Sequence, residues 1–387
     1  MTMSSPLDLI DLGPALDVAV LGLALAVVPV SLVVWRSRRA GLRGWPAWQR
    51  ALTVATLFLT LDLVVFGAFT RLTDSGLGCP DWPGCYGHTS PVGAHASISA
   101  AELLRPTGPV SHSKAWIEMV HRYLATTVGA LITVLMVLAW RMRRQAGGLS
   151  PWWATATFIW VCAQGAFGAL TVTMKLQPLI VSIHLLGAML GVGLLTAQAR
   201  ALDDWRATPE AWETWRRSAL RALVALVLIV CVMQMAAGAW VSTNYAVLAC
   251  TEFPTCQNQW WPDMDFSTAF TLWRPLGTDG QGGWITLPAL TAIHMVHRLW
   301  AGVALASLGG LAWALRREDW TRADRQWLWG LVGWQLATGL SNVVLDWPLA
   351  SALGHTLGAA LMVWRLVLLL ILPRRQGHFP PHLGVKP

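Results

Sequence analysis

Glu118-Met119-Val120-His121-Arg122 returns 176 positions later as His294-Met295-Val296-His297-Arg298. Around this block Cys79, Cys85, Gln164, Gly168 and His184 are matched by Cys250, Cys256, Gln335, Gly339 and His355, each 171 positions on. The difference of five residues is taken up in the loop before His294 and returned before Gln335. The chain therefore uses one design twice, and each copy sets two histidines within apolar segments.

Composition fixes the surroundings of those histidines. Of 387 residues 55% are hydrophobic and 12% charged, and the apolar runs reach the roughly 20 residues needed to cross a hydrocarbon core. The pattern predicts an all-α polytopic membrane protein with nine spans, near residues 15–35, 51–69, 115–140, 152–174, 179–199, 218–241, 286–315, 326–345 and 349–372. The first lies outside the repeat. Four spans separate each position from its copy, and an even number preserves orientation, so the two tandem four-helix bundles are expected to be related by a parallel pseudo-two-fold axis. The chain then divides into an extra N-terminal helix and cytoplasmic loop (1–50), a first bundle (51–199), a cytoplasmic linker (200–217), a second bundle (218–372) and a tail (373–387).

Cytoplasmic loops hold the excess of Lys and Arg. Segments 36–50, 141–151, 200–221, 316–325 and 373–387 together carry 20 of the 28, and the opposite loops carry five. This predicts an N-terminus outside the cytoplasm, a cytoplasmic C-terminus and, in a bacterial cell, an inner-membrane location. The net charge of +8 is a topological signal, so no nucleic-acid partner is expected and the lipid bilayer is the immediate one. The first span follows acidic rather than basic residues and is expected to remain uncleaved.

His121 and His184 fall at matching depth a few residues inside two helices that enter from the outer face, and His297 and His355 do the same in the second copy. Ionisable residues are costly within a membrane and usually functional. Two inward imidazoles at one depth suit axial ligation of a haem from both faces. Gly129, Gly187, Gly302, Gly354 and Gly358 are expected to leave room for a flat macrocycle. His294 competes with His297, but the repeat aligns His297 with His121. Arg122 and Arg298 are placed either to bind propionates as a carboxylate fork or simply to snorkel towards the interface.

Glu118 lies one turn from His121 on the same helical face, where the second copy has His294. A carboxyl beside one pair and absent from the other marks the first pair as the place of chemistry; pairing with an arginine is the structural alternative. The pairs Cys79/Cys85 and Cys250/Cys256 stand in long loops on the oxidising side, which favours disulfides over zinc binding. Cys162 and Cys231 read as packing residues.

Residues Gly67-Ala68-Phe69-Thr70-Arg71-Leu72-Thr73-Asp74-Ser75-Gly76-Leu77, the Glu118 to Arg122 block, the paired cysteines and the four histidines resemble the haem A synthase family over roughly residues 50–372. The resemblance implies an oxidoreductase that converts the C8 methyl of haem O to a formyl group, giving haem A for terminal oxidases. It implies haem O between His121 and His184, a haem b cofactor between His297 and His355, a catalytic Glu118, and Cys79/Cys85 as the family's disulfide. Implied partners are haem O synthase, cytochrome oxidase assembly proteins and an electron acceptor the sequence does not name. A di-haem b electron-transfer protein and a haem-carrying oxidase assembly factor are the rival readings. The orientation is checked with reporter fusions: alkaline phosphatase joined after Pro91 is expected to be active and after Gly147 inactive, and the reverse result overturns it.

Overall fold

The computed structural model describes residues 13–39, 45–144, 148–202, 218–317 and 322–371. The linker beyond residue 202 and the tail at 373–387 lie outside the described residues. All regular elements among them are helical. The long helices are α1 (Gly13–Arg39), α2 (Trp45–Leu72), α4 (His112–Arg141), α5 (Pro151–Thr173), α6 (Pro178–Ala201), α7 (Ala219–Thr243), α9 (Leu287–Ala314), α10 (Arg322–Val344) and α11 (Leu349–Ile371). Two short helices, α3 (His95–Leu104) and α8 (Phe266–Ala269), belong to the long loops.

Eight of the nine long helices are long and apolar enough to cross a membrane. The ninth expected span, 326–345, is present as the 23-residue helix α10, about 35 Å long at the usual helical rise, but its composition falls short. Asp324, Gln335 and Asn342 lie buried along it, so α10 turns its polar groups towards protein rather than lipid.

Helix α2 packs on α4, α4 on α5, α5 on α6 and α6 on α2; α7, α9, α10 and α11 close a second ring in the same order. The rings meet where α6 and α2 pack on α11 and α6 packs on α7. The largest apolar cluster sits at this seam, with Val192, Leu195, Val224, Leu308 and Leu366 fully or almost fully buried. Backbone conformation repeats as the sequence does: left-handed residues occur at Asp74 and Tyr245, Tyr86 and Gln257, Lys175 and Asp346, and Leu176 and Trp347.

Local sequence explains the helix ends. Ser111, Ser218 and Thr286 accept bonds from Lys114 N (3.3 Å), Arg221 N (3.2 Å) and Ala289 N (3.4 Å), and Gln177 accepts from Ile180 N (2.9 Å) just before Pro178. These supply partners to amides that a first helical turn leaves open. Within α2 the buried hydroxyls of Thr53, Thr56 and Thr60 donate to carbonyls one turn back at 2.7, 2.8 and 2.8 Å, so they enter an apolar bundle already satisfied. Asp324 and Arg365 form a buried ion pair between α10 and α11.

Residues 171 positions apart touch at the outer end of the seam. Arg71 donates to Ser242 O at 2.5 Å, and Tyr245 Oη donates to Asp74 at 2.6 Å. The Arg71 guanidinium also lies 3.9 Å from the centroid of the Tyr245 ring.

The extra helix α1 packs on α4 and α2. At its contact a β-carbon on Gly22 would stand 2.3 Å from Thr126 Cγ2, a close approach of the kind small residues allow between membrane helices. Gly22→Leu is expected to lower stability in detergent by about 1–3 kcal/mol through overpacking, whereas Leu23→Ala at an exposed position leaves it unchanged. Thermal melting of the two variants distinguishes them.

Candidate functional site

The four histidines each rest against a glycine of a neighbouring helix. A β-carbon at Gly67 in α2 would lie 3.0 Å from His121 Nε2, and one at Gly238 in α7 would lie 2.9 Å from His297 Cε1. Across each ring, Gly168 in α5 backs His184 at 3.6 Å, and Gly339 in α10 backs His355 at 3.4 Å. His121 and His184 lie within electrostatic reach of one another, as do His297 and His355. All four are only partly covered by protein. Gly67 and Gly238 were not read from the sequence as partners of the imidazoles, although their spacing of 171 was available.

Among the described residues no group of three or more His, Cys, Asp or Glu is placed to hold a metal ion. A bare structural ion needs about four protein ligands. A pair of imidazoles suits an iron already held by a macrocycle, and the donor set therefore fits haem. The glycines expected to make room divide into two kinds. Beside Gly129 and Gly302 nothing lies within 4 Å of a β-carbon position. At Gly187 and Gly358 that position is taken by Gln164 and Gln335, and at Gly354 by Trp334. Those three serve close helix packing instead.

The surroundings of the two pairs differ. In the second ring His297 Nδ1 lies 3.0 Å from Gln234 Nε2, and His355 Nδ1 lies 3.0 Å from Thr338 Oγ1. The equivalent positions in the first ring are Leu63 and Phe167, and His184 Nδ1 is buried with no hydrogen-bond partner. Gln234 and Thr338 were missed in the sequence; comparing polar residues within spans with their copies would have exposed them.

Both cysteine pairs are disulfide-bonded, Cys79 to Cys85 and Cys250 to Cys256, with Cα atoms 5.0 and 4.9 Å apart. Each loop is tied down in the same way. Asp81 accepts from Tyr86 N (2.6 Å) and Gly87 N (2.8 Å), and Glu252 accepts from Asn258 N. Arg122 donates to Asp81 O (2.9 Å), Pro83 O (3.2 Å) and Gly84 O; Arg298 donates to Glu252 O (2.9 Å) and Thr255 O (3.0 Å). The two guanidinium groups are thus engaged by loop carbonyls. Burial of Tyr86 in this cap, followed by the nearby Asp81 charge, pushes its phenol above the usual range.

Glu118 is buried, pairs with Arg122 and accepts a hydrogen bond from Cys79 N at 2.8 Å. It joins helix α4 to the first disulfide. His294, its counterpart, points Nδ1 at Ala246 O at 3.0 Å and is held by the loop, which leaves His297 as the histidine facing His355. Cys231 is buried, whereas Cys162, expected to pack, is exposed on α5.

Fold and site together define a polytopic α-helical membrane protein carrying two imidazole pairs, each only partly covered by protein. The profile of the cytochrome oxidase assembly protein family matches residues 50–367, and the chain belongs to that family. It is 36% identical over 312 residues to the haem A synthase of Shewanella oneidensis, covering 81% of this chain and 92% of that one. The haem A synthase of Cereibacter sphaeroides is 27% identical, with 92% of this chain and 94% of that one covered. That of Halalkalibacterium halodurans is 25% identical, with 85% and 99% covered.

The contact at Gly238 gives a direct check on the imidazole cradle. Gly238→Ala sets a methyl 2.9 Å from His297 and is expected to lower both the melting temperature and the amount of bound pigment. Gly302→Ala, with nothing within 4 Å, is expected to leave both unchanged. Absorbance after purification and melting curves read the difference.

Proposed function

We propose that this chain is an oxidoreductase that converts the C8 methyl of haem O to the formyl group of haem A. The reading takes haem O as substrate between His121 and His184 and haem b as resident cofactor between His297 and His355. The observation that carries the division of labour is the pair of unlike neighbours one turn from matched histidines, Glu118 in one copy and His294 in the other. Membership of the family and the names of the relatives support the activity.

The conversion is written as methyl to alcohol, alcohol to hydrated aldehyde, and loss of water to leave the formyl group. Each of the two oxidations removes two electrons and two protons, with water supplying the oxygen and an acceptor taking the electrons. When bound, haem b supplies one-electron redox chemistry. His121 and His184 orient the substrate by its iron, and Gly67 lets the His121 ring sit close to α2. Glu118 presents a buried carboxylate near the reacting ring, stabilises positive charge there and accepts a proton. Its bond to Cys79 N and its pairing with Arg122 hold it in place. Arg122 and Arg298 keep the disulfide loops over the outer ends of the two rings, with the N-terminus outside and the C-terminus cytoplasmic. The two rings act as a substrate unit and a cofactor unit. Haem O synthase upstream and cytochrome oxidase assembly proteins downstream are the partners this chemistry requires.

Pigments extracted from cells expressing the chain with a haem O synthase test the reading. Chromatography and mass spectrometry are expected to find haem A or its hydroxylated precursor with the intact chain, and none with His121→Ala. Glu118→Gln is expected to lower the yield at least ten-fold while haem b is retained. Haem O and haem b alone, from a folded and haem-loaded protein, would overturn the proposal in favour of electron transfer or haem carriage.

A further inference from the structure

The two imidazole pairs share one scaffold, yet among the described residues side-chain hydrogen bonds to the ring nitrogens occur only in the second. Thr338 Oγ1 lies 2.8 Å from Trp334 O, one turn back in α10, and 3.0 Å from His355 Nδ1. A threonine hydroxyl carries a single proton. Given to Trp334 O, that proton leaves the oxygen able only to accept at His355, which fixes His355 as the Nδ1–H tautomer. Its Nε2 lone pair is then free for a metal.

Gln234 does the same for His297 from α7. The imidazole lies over Gly238, and Gln234, one turn earlier on that helix, reaches Nδ1 at 3.0 Å. The other end of the amide, Oε1, is buried without a partner. Turned by half a turn, the amide offers Oε1 to Nδ1–H, and Nε2 takes the place the oxygen held. Both histidines of the second pair then present a bare Nε2 and carry an acceptor behind the ring. Such acceptors fix the orientation of a ligating histidine and raise its basicity. In the first ring the corresponding places hold Leu63 and Phe167, which accept nothing, and His184 Nδ1 goes unpartnered.

We propose that Gln234 and Thr338 are positioning residues that make the second imidazole pair a tight, permanent haem site, and that Leu63 and Phe167 keep the first pair weak enough to take in one haem and release another. This rests on the reading of the four histidines as haem ligands. An enzyme whose substrate and cofactor are both haems must hold one and let the other go, and the groups behind the rings provide that distinction without altering the ligands.

The test uses the purified full chain with Gln234→Leu, Thr338→Val and the double variant. Haem transfer to apomyoglobin and the midpoint potential of the retained haem are the readouts. Loss of an outer-shell partner typically weakens metal binding ten- to 100-fold. The double variant is expected to surrender the second haem at least ten-fold faster, with its potential raised because the imidazoles donate less charge. Thr338→Ser, which restores the hydroxyl, is expected to recover the transfer rate and potential of the unaltered chain. Phe167→Thr is expected to slow release from the first pair, a gain that a folding defect would not produce.

Unchanged transfer and potential in the double variant, or release from the first pair unaffected by Phe167→Thr, would overturn the proposal. His297→Ala and His355→Ala separate this failure from that of the functional reading. Should either variant keep the second haem with its spectrum unaltered, the ligand assignment itself falls.

Discussion

A hydrocarbon surround offers no water to the groups it encloses, so a polar atom on these helices that lacks a partner within the protein is costly. Much of the architecture follows from how that demand is met. The threonines of α2 bond back to their own helix. Arg122 and Arg298 reach out of theirs to loop carbonyls, and in doing so they set the cysteine loops against the same helical turns that carry His121 and His297. Glu118 completes the arrangement by joining Arg122 to the backbone at Cys79. The disulfide alone would close a small turn; the buried arginine and carboxylate give that turn a fixed place on the bundle.

The two copies agree in backbone and differ in chemistry. Left-handed residues recur in register, both disulfides close the same turn, and each imidazole rests on a glycine. Around the histidines they differ at Glu118 against His294, Leu63 against Gln234 and Phe167 against Thr338. One helix order thus carries two imidazole pairs with different hydrogen bonding and charge around them.

The sequence made the helices and the pairing of histidines legible, because long apolar runs and a constant offset are properties of residue order. The last expected helix pair illustrates the limit. Helix α10 was read as an apolar run like the other spans, yet it falls short of them in apolar character and carries Gln335 and Asn342 buried along it. The arginines were placed correctly beside the histidines, but not their partners, since a guanidinium on a helix gives no sign of which loop will fold over it. Gly187, Gly354 and Gly358 were read as space because a missing side chain looks the same whether a ligand or Gln164, Trp334 or Gln335 fills the gap. The side chains behind His297 and His355 come from other helices, so no local spacing points to them.

Arg71 meets Ser242 and Asp74 meets Tyr245, each residue touching the position that is its own copy. In a symmetric pair of separate chains, a residue on the axis faces itself, since the same patch serves both subunits. An arginine there would oppose an arginine and an aspartate an aspartate, contacts that like charge makes unfavourable. Joining the copies in one polypeptide removes that obligation: Arg71 can bond a backbone carbonyl and stack on Tyr245, while Asp74 receives the tyrosine hydroxyl. The seam between the halves is therefore a contact that identical subunits could not make, and a single polypeptide is what allows its two sides to differ.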